Sequence, residues 1–198
     1  MERLQQVAER IARWGAIAGG AMLLVASVVI CVDIVLRYAL AMTVGGADEL
    51  AGYALAIASV WGFSTALLAR SHIRIDTVYV RVGARTRAAL DVLNLVCLTF
   101  FIGLVAWHGW GVLEQSWVSN SHSLSDLQTP LIVPQALWFA GLAFFVVVAV
   151  LLLARALLAF GSGDFAAGFA LIGSKSAVAE AEEEIRSAEL VLDKENKS

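Results

Sequence analysis

Four long stretches of the chain contain no Asp, Glu, Lys or Arg, and they constrain the fold more than any other feature. They cover residues 14–32, 50–69, 92–113 and 131–154. An α-helix rises about 1.5 Å per residue, so roughly 20 residues cross the ~30 Å hydrocarbon core of a bilayer. Backbone groups inside hydrocarbon must be paired within their own segment, and uninterrupted apolar runs of this length achieve this as helices.

The composition excludes a soluble alternative, in which the four stretches would form one large buried core. Hydrophobic residues make up 60% of the chain and charged residues only 16%, which leaves too little polar surface to wrap four such helices. We therefore predict an all-α integral membrane protein with four transmembrane helices. The predicted spans cover about 14–36, 48–69, 89–113 and 130–157.

The positions of arginine and lysine predict the orientation, because cytoplasmic connections are enriched in these residues. The segments that flank the spans are alternately rich and poor in them. Their basic residues are, in order, Arg3, Arg10 and Arg13; Arg37 alone; Arg70, Arg74, Arg81, Arg85 and Arg87; none in the third connection; then a last group that begins with Arg155 and Lys175. This pattern places both termini and the 70–87 connection in the cytoplasm.

The chain divides into a four-helix membrane domain, 1–160, and a tail, 161–198, that we expect to be flexible or amphipathic, acidic and cytoplasmic. Two segments, 4–14 and 75–82, show apolar residues at helical spacing between arginines. Such basic amphipathic helices lie along lipid headgroups, although a solvated loop is the alternative. The first span could also be a cleaved signal peptide, but it is longer than a signal core, and Asp33 and Arg37 precede the small-residue site.

Ionisable residues lie mainly at the ends of the spans. Asp33 and Arg37 are four residues apart and can meet on one helix face, whereas Asp48 and Glu49 suit either a helix N-terminus or a partner contact. His108 is the single histidine in a span, so a two-histidine haem site is not indicated. We predict no enzyme activity, no cofactor, no metal site and no nucleic-acid partner. Close helix approach is expected at glycines, namely Gly19, Gly20, Gly103, Gly109 and Gly111.

Four motifs in this order and spacing resemble the small membrane subunit of tripartite ATP-independent periplasmic (TRAP) transporters. The first two are DIVLRY at 33–38, which closes the first span, and DELAGY at 48–53, which opens the second. The third is RSHIRID at 70–76, a basic exit from the second span. The fourth comprises Ser116-Trp117, Thr129-Pro130, Pro134 and Trp138.

The resemblance implies a non-catalytic subunit of the bacterial inner membrane. It implies a scaffold for a large membrane subunit that carries the substrate and sodium sites, and a periplasmic binding protein that delivers an organic acid. Subunit-interface or headgroup contacts are expected at Asp33, Arg37, Glu49, His72, Arg74 and Asp76. Two other hypotheses are a membrane anchor for a respiratory enzyme complex, which predicts a haem, and a self-sufficient small transporter. The lone His108 and the lack of acidic residues at the membrane midplane count against them.

Overall fold

The computed structural model describes residues 2–69 and 83–172, and these residues form five helices. The helices are α1 (Glu2–Leu40), α2 (Ala47–Leu68), α3 (Ala84–Val118), α4 (Ile132–Gly161) and α5 (Phe165–Ile172). The first four are long and apolar enough to cross a membrane. The all-helical fold with four such helices is therefore confirmed.

The four long helices form a row in the order α1, α2, α4, α3. Helices α1 and α2 pack together, α2 packs on α4, and α4 packs on α3. Because α1–α2 and α3–α4 are consecutive antiparallel pairs, the connections 41–46 and 119–131 lie on the same side of the bundle, where α1 and α3 end and α2 and α4 begin. The C-terminus of α2 and the N-terminus of α3 lie on the opposite side of the bundle.

Small residues allow the helices of the row to approach closely. A Cβ atom added to Gly19 of α1 would lie 2.7 Å from the Ala58 Cα of α2, so the two backbones are nearly in contact there. The indole of Trp61 lies between Gly15 of α1 and Gly141 of α4, and its Nε1 donates a 3.3 Å hydrogen bond to the carbonyl oxygen of Leu137. This arrangement couples three helices through one side chain.

The predicted glycine contacts occur at two of the five positions. Besides Gly19, Gly109 of α3 faces Trp138 of α4, at 2.9 Å from its added Cβ. The Cβ positions of Gly20, Gly103 and Gly111 face open space. Composition identifies glycine as a residue that permits close packing, but only the rotation of the helix decides which glycine meets a neighbour.

The apolar core lies between α2, α3 and α4 and continues into α5. Phe145 and Ala149 of α4 are at its centre, with exposed fractions of 2% and 0%. Helix α5 adds Ile172 to the same core, and the Phe169 ring meets Phe160 edge-on at a centroid distance of 5.5 Å. Packing on the bundle thus extends past residue 160, where the sequence predicts the tail to begin, while residues 173–198 lie outside the described part of the chain.

Helix α1 has 39 residues and α3 has 35, so each is about 50–60 Å long and exceeds the ~30 Å hydrocarbon thickness. The segment 4–14 continues into the first span without a break as part of α1. Its location at the membrane interface stays a prediction. The second segment predicted to be interfacial, 75–82, lies outside the described residues.

Candidate functional site

The connections 41–46 and 119–131, together with the helix ends at Asp33 and Glu49, form one polar structure that we call the loop junction. Gly45 and Gly46 both have positive φ, 71° and 74°, which turns the chain sharply from α1 into α2. A side chain at Gly46 would overlap Leu127 of the other connection. The two connections are therefore in direct contact.

Asp33 holds the first connection against the end of α1. Its carboxylate accepts hydrogen bonds from the Thr43 hydroxyl at 2.7 Å and from the Val44 backbone N–H at 2.8 Å. It also forms an ion pair with the Arg37 guanidinium, one helical turn away. The Asp33 side chain is 4% exposed and that of Arg37 is 63% exposed, so the acid is enclosed by its donors while the base extends outward.

Glu49 holds the second connection against the start of α2. Its Oε1 accepts a 2.7 Å hydrogen bond from the Tyr53 hydroxyl on the next turn of the same helix. Its Oε2 accepts hydrogen bonds from the hydroxyls of Ser123, at 2.5 Å, and Ser125. One carboxylate thus binds two groups that are more than 70 residues away along the chain.

The 119–131 connection is folded on itself through backbone hydrogen bonds. The Ser123 N–H donates to the Thr129 carbonyl oxygen at 2.9 Å, and the Leu131 N–H donates to the Ser121 carbonyl oxygen at 3.0 Å. Asn120 and Gln128 adopt positive φ at its two bends. The connection is therefore a structured loop, and Glu49 binds one of its edges.

The carboxylates of Asp33 and Glu49 can hold the two connections in place. Each of the two carboxylates accepts several hydrogen bonds within the chain, and hydrogen bonds to an ionised acceptor are stronger than neutral ones. Within residues 2–69 and 83–172, no three His, Cys, Asp or Glu side chains lie close enough together to hold a metal ion. The hydrogen bonds of the loop junction fix the positions of α1, α2, α3 and α4 relative to one another on one side of the bundle.

The structure brings together three of the six residues that the sequence singles out. Asp33 and Arg37 meet as the i, i+4 spacing indicates, and Glu49 lies on the other side of the same junction. His72, Arg74 and Asp76 lie outside the described residues. Asp48, the other acid at the start of α2, is exposed.

Sequence reasoning missed the residues that supply the donors. Thr43, Tyr53, Ser123 and Ser125 carry them, together with the Val44 amide. One signal was present, since serine occupies every second position from Ser119 to Ser125. Such alternation places successive hydroxyls on one side of an extended segment, which suits an acceptor on a neighbouring helix.

Comparison with protein families gives a match over most of the bundle. The model of the family described as "Tripartite ATP-independent periplasmic transporters, DctQ component" matches residues 26–159, more than half of the 198 residues. The match begins within α1, ends within α4 and includes the whole loop junction. No curated protein and no solved structure matches the chain.

Proposed function

The chain belongs to the DctQ component family of the tripartite ATP-independent periplasmic transporters, and on this premise we propose that it is the non-catalytic scaffold subunit of a sodium-coupled organic acid symporter. The family match over residues 26–159 is the observation that carries the proposal. As a family member the chain is the small permease component of such a transporter. Its scaffold role, its sodium coupling and its substrate are what we propose.

The exposed apolar faces of the two outer helices of the row support a scaffold role. On α1, Leu24 is 72% exposed and Val28 is 62% exposed, and on α3 Phe100 is 67% and Trp107 is 78% exposed. Apolar faces of this size in a membrane protein contact either lipid or another subunit. We propose that one of the two flanks binds the large membrane subunit and that the other faces lipid.

The placement of charge supports a role outside the transport pathway. An intramembrane substrate or ion site normally contains ionisable side chains, which are retained in hydrocarbon at considerable cost. In this chain Asp33, Glu49 and the buried Asp91 lie near the ends of their spans, and the carboxylates of Asp33 and Glu49 already bind the two connections. The substrate and sodium sites are accordingly assigned to the large subunit.

We propose that the protein resides in the bacterial inner membrane, with both termini in the cytoplasm and the loop junction in the periplasm. The distribution of arginine favours this orientation. A periplasmic loop junction faces the compartment in which the substrate-binding protein moves. That protein would deliver a dicarboxylate, keto acid, sugar acid or sialic acid to the complex.

Six residues are proposed to contact the partner subunit or the headgroups: Asp33, Arg37, Glu49, His72, Arg74 and Asp76. Arg37 extends outward from its ion pair and could do so directly. Glu49 would act indirectly, because it fixes the 119–131 loop that a periplasmic partner would meet. His72, Arg74 and Asp76 are assigned on the sequence pattern alone.

The proposal is tested by purification and uptake in the native host. The tagged chain should retain one larger multi-span protein, and deletion of its gene should abolish sodium-dependent uptake of the organic acid. Glu49→Ala and Arg74→Ala should lower complex yield and uptake in parallel, whereas Ser59→Ala, at a hydroxyl that bonds within its own helix, serves as the control. Uptake by liposomes that contain this chain alone, or loss of uptake with a fully assembled complex, would contradict the scaffold role.

A further inference from the structure

A groove with an entirely apolar lining runs between the N-terminal part of α3 and the C-terminal part of α4, on the side of the bundle opposite the loop junction. It has a volume of about 400 Å³. Its walls are formed by Ala88, Ala89, Val92, Leu93, Val96, Leu157 and Phe160. None of these side chains carries a hydrogen-bonding group, so water in the groove would lack partners.

The groove is elongated along the α3 axis. The residues from Ala88 to Val96 span about 12 Å along the α3 axis. Two alanines form the wall near the start of α3, and their short side chains leave the space that longer ones would fill. The groove is open along much of its surface and does not enclose a cavity.

One cation lies on the same stripe of α3 as the groove. Arg85 precedes Ala88 and Ala89 by three and four residues, which places it on the same helix face, one turn nearer the helix start. It is exposed, and no acidic side chain in the described parts of the chain pairs with it. The site therefore combines a hydrocarbon-lined furrow with a positive charge at its mouth.

We propose that this groove binds one acyl chain of an anionic phospholipid, with Arg85 bound to its phosphate. The apolar lining accepts a flexible hydrocarbon chain, and the guanidinium suits a phosphate oxygen geometrically and electrostatically. The charge at the mouth selects an anionic headgroup over a zwitterionic one. The lipid would fill the crevice between α3 and α4, and the inference does not depend on which solute the transporter carries.

Native mass spectrometry of the full-length chain tests the proposal. The chain is purified in mild detergent after equilibration with vesicles of equimolar phosphatidylglycerol and phosphatidylcholine, and the retained lipids are counted. We expect a retained lipid, with phosphatidylglycerol favoured about fivefold, the preference that one basic residue near a membrane surface supports. A chain without retained lipid, or equal retention of both lipids, would overturn the proposal.

Two pairs of variants separate the groove from general lipid adhesion. Ala89→Trp fills the groove from an exposed position and should remove the retained lipid, whereas Val112→Trp, on the same helix but outside the groove, should leave it. Arg85→Gln should bring the two lipids to equal retention. Arg10→Gln should not, although Arg10 is also exposed and lies on the same side of the bundle. Circular dichroism and gel filtration establish that each variant is folded.

Several outcomes would contradict the assignment. Retention of lipid by Ala89→Trp would place the bound lipid elsewhere, and an equal effect of Arg10→Gln would reduce the selectivity to net charge. A lipid-free dimer would show that a second copy of the chain fills the groove. Since Arg85→Gln changes only the headgroup contact, it tests the proposal even if the tryptophan variant fails to fold.

Discussion

At the loop junction the chain is held by hydrogen bonds to two carboxylates. Within the helices, away from the loops, it is held by glycines packed against an indole and a neighbouring backbone. Asp33 binds the connection that follows its own helix, and Glu49 binds a loop more than 70 residues away along the chain. Gly15, Gly19 and Gly141 admit Trp61 and Ala58. Both regions fix the same helices relative to one another.

The difference follows from the surroundings. Loops cannot pair all their backbone groups, so they lie where water or polar side chains are present, and there a carboxylate can collect several donors. In hydrocarbon there is no hydrophobic gain from bringing helices together, and close contact through small residues takes its place. The comparison predicts that packing variants destabilise the whole bundle and that polar variants release individual loops.

The largest effect is expected for Gly19→Leu. The new Cβ would lie 2.7 Å from the Ala58 Cα, and because a backbone atom cannot move aside as a side chain can, α1 must separate from α2. We expect a loss of about 1–3 kcal/mol, typical of overpacking, measured by thermal unfolding in detergent. Gly20→Leu is the control, since its Cβ position faces open space. Equal losses in the two variants would show that the contact at Gly19 does not hold the pair together.

A smaller effect on unfolding, with a large local effect, is expected for Asp33→Ala. The change removes the acceptor for the Thr43 hydroxyl, the Val44 amide and the Arg37 guanidinium together. Hydrogen–deuterium exchange should accelerate several-fold in residues 41–46 and change little in the middle of α2. Asp48→Ala, at an exposed acid, provides the comparison. Unchanged exchange in 41–46 would mean that Gly45 and Gly46 alone determine the turn.

A more restricted effect is expected for Glu49→Gln. Both serine hydroxyls bond to Oε2, and an amide oxygen in that position can still accept them, but it lacks the charge that strengthens both bonds. Faster exchange should appear in the 119–131 loop without any change in 41–46, the reverse of the Asp33→Ala result. Ser125→Ala should produce a weaker version of the same change. Accelerated exchange in both loops would show that the two carboxylates act as one unit.

The smallest effect is expected for Thr65→Val in α2. Its hydroxyl donates a 3.2 Å hydrogen bond to the Ala12 carbonyl oxygen of α1. Interhelical hydrogen bonds in membranes average about 0.6 kcal/mol, and we expect a loss of this size in thermal unfolding. Ser59→Ala is the control, because the Ser59 hydroxyl bonds to Leu55 within its own helix. A loss as large as that of Gly19→Leu would contradict the division between packing and polar contacts.

The sequence predicts the parts of this fold that depend on local pattern. Runs without charge mark the four long helices, and a spacing of four residues brings Asp33 and Arg37 together. The contacts of Glu49 with the 119–131 loop could not be predicted, because Ser123 and Ser125 reach it only after four helices have packed. For the same reason Gly19 and Gly20 are equivalent in sequence but not in structure, since a rotation of about 100° per residue separates a contact from open space.

The arrangement of the helices as a row has a consequence for permeation. A closed bundle surrounds an axis along which a cavity or channel could form, whereas a row has two broad sides and no enclosed interior. The core between α2, α3 and α4 is filled by apolar side chains such as Phe145, and a polar solute that entered it would lose its hydration without compensation. The row thus has the shape of a wall, which is the geometry that the proposed scaffold role requires.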